Sequence, residues 1–93
     1  MKFEHKEKGW IIEVGTLTQS KAEKFADAIY AAANPLKKNR LAVEAAIECD
    51  WLKLVEPKLT ADKLADYSDP SFINWVAGEL TPLYIEAITI PKN

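Results

Sequence analysis

The sequence predicts a mainly α, small helical domain carrying an N-terminal β-hairpin, and three observations predict it. Apolar residues recur at spacings of three and four over much of residues 18–88, in stripes such as Ala22, Phe25, Ala26, Ile29, Tyr30 and Ala33. Helix-boundary chemistry punctuates those stripes at Thr18, Asn34-Pro35 and Asp69-Pro70. Period-two alternation marks the first 15 residues. With 93 residues, 48% hydrophobic and 28% charged, the chain has the size and composition of one globular domain spanning residues 1–93. Residues 1–15 are expected to form the hairpin, 18–88 the helical body of three main helices and a short one, and 89–93 an extended tail.

In the hairpin, Phe3 and His5 alternate with Lys2, Glu4 and Lys6, and Trp10, Ile12 and Val14 share one face beyond a turn containing Gly9. Two strands alone are marginal in water, so that face must pack on the helices or complete another chain's sheet; packing within the chain is the expectation. Thr18 or Ser20 caps the first helix, Ser20 and Glu23 having the spacing of a capping box. Asn34-Pro35 stops it, because proline pushes its predecessor out of the helical region.

Pro35 also suits the first turn of a second helix reaching Asp50 or Trp51, with Leu36, Val43 and Ile47 near one face and Leu41, Ala45, Cys49 and Leu52 widening it. Residues 52–59 read as a connector in which Pro57 blocks helix, and Thr60–Tyr67 as a short capped helix serving as a spacer. Asp69 as N-cap and Pro70 at the first helical position start the last helix. Its stripe, Phe72, Val76, Leu80, Leu83, Tyr84 and Ala87, continues in phase through Pro82. A helix kinked at Pro82 is expected, with two helices recapped at Thr81 as the alternative.

The formal charge is −2, which argues against a dedicated nucleic-acid binder, since the phosphate backbone rewards a basic surplus. The total hides a gradient. Residues 1–40 hold eight basic and five acidic side chains, net +3, and residues 41–93 hold four and nine, net −5. Such a polarity is compatible with a homo-oligomer or with steering of a charged partner. Lys37, Lys38 and Arg40 crowd the start of the second helix and are weak anion-binding candidates; without a glycine-rich loop they read first as a solvated face.

Reaction chemistry is scarce. Cys49 is the sole cysteine and lies in an apolar pattern, which excludes an intrachain disulfide and reads as a small buried residue in a reducing, cytoplasmic setting. His5 is the sole histidine, so histidine-based metal sites and catalytic dyads lack partners. Asp62 with Asp66, and Glu44 with Glu48, stand four apart as on any solvated helix face, and Gly9, Gly15 and Gly78 are too scattered for a phosphate loop. No signal-peptide core or membrane span is readable. No catalytic residue, cofactor or metal is therefore expected, and an enzyme is not the reading.

What stands out is an apolar C-terminal end: Trp75, Tyr84, Ile85, Ile88, Ile90 and Pro91. Trp75 lies one residue off the Phe72/Val76/Leu80 line and widens the core stripe before it offers an anchor. Ile85 lies opposite Leu83 and Ala87, so it is either turned inward by a kink at Pro82 or exposed. A segment such as Ile88-Thr89-Ile90-Pro91 is suited to dock on a partner as a strand or in a groove.

The C-terminal third, from Asp69-Pro70-Ser71-Phe72-Ile73-Asn74-Trp75-Val76 through Leu83-Tyr84-Ile85-Glu86-Ala87-Ile88-Thr89-Ile90-Pro91-Lys92-Asn93, resembles the end of small proteins from tail-morphogenesis clusters of bacteriophages and prophages, described as tail assembly chaperones. In them a tryptophan-bearing helix leads through Leu-Tyr-like and Ala-Thr-like steps to a terminal Ile-Pro. Ala42–Leu52 resembles their middle helix, so the likeness covers residues 41–93, with Phe3–Val14 matching less clearly. It implies a cytoplasmic protein of the bacterial host cell that binds a tape-measure or other long helical tail protein during virion assembly and shields its apolar seam. The residues it marks as contacts are Trp75, Leu83, Tyr84 and the Ile90-Pro91 tail. A non-enzymatic adaptor or inhibitor of a host factor is the alternative.

Overall fold

The computed structural model describes residues 1–89, and among them the chain forms a small α+β domain. The elements run β1 (Lys2–His5), β2 (Trp10–Val14), α1 (Gln19–Ala31), α2 (Pro35–Glu48), β3 (Leu52–Glu56), a 3-10 helix (Ala61–Asp66) and α3 (Pro70–Ile88). The strands form one antiparallel sheet in the order β1-β2-β3. No helix among the described residues is long and apolar enough to cross a membrane.

The hairpin forms as its alternation predicts, with Gly9 at φ +72° in the turn and Phe3 opposite Ile12. Trp10, Ile12 and Val14 are all buried in the domain's own core. The segment 52–59 is not a plain connector. Leu52 and Leu54 are buried and flank exposed Lys53, the same period-two signal as in β2, and β3 pairs with β2 across the two intervening helices. Pro57 ends a strand here instead of merely excluding a helix. Ile11 pairs with Glu56 and Ile12 with Leu54, so Val55 is the extra residue of a bulge.

Thr18 caps α1, its hydroxyl accepting from the Lys21 amide at 3.3 Å. The Ser20/Glu23 capping box does not form, because the helix starts two residues earlier, with Thr18 as N-cap; Gln19 Nε2 donates to Glu23 instead, at 2.9 Å. Ala22 and Phe25 are buried, whereas Tyr30, placed on the same stripe by spacing, is 83% exposed. Asn34 Oδ1 caps α2 by accepting from the Lys37 amide at 2.7 Å, and Pro35 takes the first position. Leu36, expected inward, is exposed, as the first turn of α2 extends past the core.

The second helix ends at Glu48, short of the predicted Asp50 or Trp51. Asp50 adopts φ 63°, the Trp51 amide donates to the Ala46 carbonyl at 3.0 Å and the Asp50 amide to the Ile47 carbonyl at 3.1 Å. This is a Schellman stop with aspartate in the left-handed position usually held by glycine. It turns the chain sharply into β3.

The predicted spacer also contributes to the core. Its 3-10 helix packs against α2 and inserts Leu64, which is fully buried. α3 starts as predicted, with Asp69 Oδ1 accepting from the Ser71 amide at 3.1 Å. It then runs as one helix to Ile88 with Pro82 inside, so the chain is not recapped at Thr81. Pro82 offers no N–H to the Gly78 carbonyl, and Gly78 is exposed, leaving that carbonyl to water. Thr81 Oγ1 folds back to donate to the Ala77 carbonyl at 2.8 Å.

Two aromatic groups bracket α3. At its start, Phe72 meets Trp10 edge-on at 5.0 Å and Tyr67 at 5.3 Å. Toward its end, Phe25 meets Trp51 at 5.2 Å and Tyr84 at 5.1 Å.

Candidate functional site

The first eleven residues of α3 sink Phe72, Val76, Ala77 and Leu80 into the core, and the last two turns behave differently. Leu83 and Tyr84 are half-buried, while Ile85 is 54% and Ile88 52% exposed. The change follows from the shape of the domain. Phe25 of α1 lies beside Tyr84, their rings 5.1 Å apart, and the outward positions of the helix beyond it are exposed.

Tyr84, Ala87 and Ile88 form one wall of an open cleft of about 530 Å³, and Leu17, Ala22 and Ala26 form the other. Thr18, Gln19 and Glu23 supply polar groups to it. Small side chains make the cleft: Ala22 and Ala26, four apart on α1, leave a shallow trough where larger residues would fill it. On the other flank of α3, Leu83 lines a second opening of about 330 Å³ with Met1, Val14 and Trp51.

The structure therefore gathers four of the predicted contact residues, Leu83, Tyr84, Ile85 and Ile88, on two adjacent turns. Ile85 is exposed, the second of the two expected arrangements. Trp75 is not with them. It sits nine residues earlier, about 13 Å along the axis, half-buried against His5 at 5.5 Å and Trp10 at 5.8 Å. Ile90 and Pro91 lie outside the described residues, as does the expected tail beyond Thr89. The α1 wall was missed by sequence reasoning, which placed Ala22 and Ala26 on the core stripe of α1 and not at a cleft.

The basic group lies elsewhere. Asn39 Nδ2 donates to Asn74 Oδ1 at 3.0 Å, which sets the start of α2 beside the start of α3, away from the cleft. Arg40 is already paired with Glu44 at 2.8 Å, and the Lys37 amide is taken by the Asn34 cap. Lys37 and Lys38 are exposed.

Glu44 is engaged by Arg40, and Asp62 is held below the ordinary carboxylate range chiefly by the Thr60 hydroxyl. Cys49 is buried, its thiol directed at the Ala46 carbonyl at 3.6 Å. Among the described residues no three His, Cys, Asp or Glu side chains are grouped to hold a metal ion. What the arrangement offers is a shallow cleft of mixed polar and apolar lining, with exposed Ile88 on its rim and exposed Ile85 one turn before it. Comparisons with protein-family models, curated proteins and solved structures found nothing that matches this chain.

Proposed function

We propose that this chain is a non-enzymatic, protein-binding module of the tail assembly chaperone type. It takes an apolar helical segment of a tape-measure or other long tail protein against the end of α3. The observation that carries this reading is the exposure of Ile85 and Ile88 beside half-buried Tyr84, on the last two turns of a helix whose earlier apolar residues Phe72, Val76, Ala77 and Leu80 are buried. A shallow cleft walled by Leu17, Ala22 and Ala26 fits the helix-in-groove mode, in which an amphipathic partner lays its apolar face between two helices. The sequence likeness over residues 41–93 supports the same class of partner. In this reading the protein acts in the cytoplasm of the bacterial host, with neither cofactor nor metal. Its free energy of binding comes from burying isoleucine and tyrosine surface, at about 25 cal/mol per Å² before the costs of association.

Co-expression with the tape-measure protein of the same phage tests it. The wild-type chain should keep that protein soluble in a stoichiometric complex, and Ile85→Asp with Ile88→Asp should abolish the complex while leaving the domain folded, since both side chains are exposed. A tape-measure protein equally insoluble with and without the wild-type chain defeats the reading.

A further inference from the structure

We infer that the outer edge of β1, unpaired among the described residues, pairs with the same edge of a second copy of this chain, antiparallel, in the register that sets Lys2 opposite Glu4 and Phe3 opposite Phe3. The inference is independent of the α3 cleft. It begins with the phase of the existing ladder. The Met1 amine donates to the Val14 carbonyl at 2.8 Å, and the Val14 amide donates to the Met1 carbonyl at 2.7 Å. Met1 and Val14 are thus a hydrogen-bonded pair, and by the alternation of an antiparallel ladder Phe3 and His5 also aim their backbone groups at β2. Lys2 and Glu4 aim theirs away. β1 is an edge of the sheet, so these are the groups it offers to an added strand.

An added antiparallel copy must build its hydrogen-bonded pairs from Lys2 and Glu4, and charge selects among the registers. Setting Lys2 opposite Lys2, or Glu4 opposite Glu4, faces like charges; the second also faces Lys2 with Lys6. Setting Lys2 opposite Glu4 joins opposite charges twice, once on each side of the two-fold axis. The existing sheet leads up to that arrangement. Lys53 lies opposite Glu13, and Glu13 opposite Lys2, so Glu4 of the second copy extends an alternating row across the solvent face. An edge lysine ordinarily discourages pairing with a foreign strand. Here its own chain carries the matching carboxylate two residues away.

The inner face agrees. In this register half-buried Phe3 meets its counterpart in the close, non-hydrogen-bonded pair. Met1, 73% exposed, falls opposite His5, whose ring lies 5.5 Å from half-buried Trp75. Two incompletely covered apolar side chains, Met1 and Phe3, are then covered together. A two-fold pairing consumes the β1 edge of each copy, so this contact closes as a dimer with a six-stranded sheet that has β3 at either end.

Sedimentation equilibrium of the full chain from micromolar to millimolar concentration tests this. The expected result is a weak, concentration-dependent dimer. Lys2→Glu and Glu4→Lys, each alone, should weaken it by about tenfold or more. An equimolar mixture of the two variants should recover wild-type affinity, because each pair then regains opposite charges. Both sites are exposed, and Glu4 lies opposite uncharged Ile11, so Glu4→Lys leaves the fold intact even if Lys2→Glu strains the pairing with Glu13. A wild-type chain that stays monomeric throughout, a dimer indifferent to both substitutions, or a mixture no tighter than either variant alone would each overturn the inference.

Discussion

The indole Nε1–H of Trp51 donates to the Gly15 carbonyl at 3.1 Å, and the Gly15 amide donates back to the Trp51 carbonyl at 2.8 Å. This reciprocal pair joins the end of β2 to the start of β3 across 36 residues of chain. Trp51 is almost fully buried, with its ring edge-on to Phe25, so one side chain both pins the non-local strand and fills the core under α1. Trp51→Phe should cost about 1–2 kcal/mol, combining a lost hydrogen bond and a partly vacated volume. Trp51→Ala should cost about 3–5 kcal/mol. Urea unfolding measures both, and equal costs for the two variants would show that ring volume is not what the site requires.

Gly9 and Gly78 make a paired prediction, because a Cβ at either would meet nothing within 4 Å, yet their backbones differ. Gly78 lies inside α3 with ordinary helical geometry, so Gly78→Ala should stabilise by about 0.5–1 kcal/mol through lower backbone entropy in the unfolded chain. Gly9 sits at φ +72°, where an L side chain is crowded by its own backbone, so Gly9→Ala should destabilise by about 1–2 kcal/mol. Thermal unfolding of both variants checks the signs. A loss at residue 78 would indicate that the Pro82 break needs glycine's freedom four residues earlier.

Local chemistry made much of this fold readable, and what stayed hidden depends on long-range packing. Asn34-Pro35 and Asp69-Pro70 each combine a capping side chain with proline at the first turn, and both helices start there. β3 was hidden because five residues alternating Leu-Lys-Leu-Val-Glu are too short to outweigh an adjacent proline until β2 supplies the partner. Leu64 was hidden for a related reason: one apolar residue in a 3-10 turn has no period, and only the α2 surface shows that it is core. At the candidate site, Ile85 lay off the stripe, which left it either turned inward or exposed, while Ile88 falls in phase with Tyr84 and its exposure shows only in the fold. The α1 wall was not legible, since alanines carry little pattern of their own and matter here by leaving space.

The acid limb of stability should depend on Asp69. Its Oδ1 accepts from both the amide and the hydroxyl of Ser71, and its Oδ2 lies 3.3 Å from Lys8 Nζ, tying the hairpin turn to the start of α3. The Ser71 hydroxyl is the largest influence and favours the carboxylate; burial comes second and opposes it, and the Ser71 amide and Lys8 add lesser favourable contributions that leave the pKa below 3.8. A carboxylate depressed on folding stabilises the native state at pH above its unfolded value, and that contribution is lost as the pH falls through the lowered, folded value. The wild-type protein should therefore lose stability as the pH drops through 3.8 and below. Asp69→Asn keeps a capping oxygen but not the charge, so its disadvantage against wild type should be largest near neutral pH and shrink on acidification. Salt at neutral pH should narrow the same gap, because the Lys8 contact is partly exposed and screened. Urea midpoints of both proteins from about pH 2 to 7 read this directly. A gap that stays constant across the whole range would mean that the cap acts through its geometry alone and that the charge at Asp69 is without consequence.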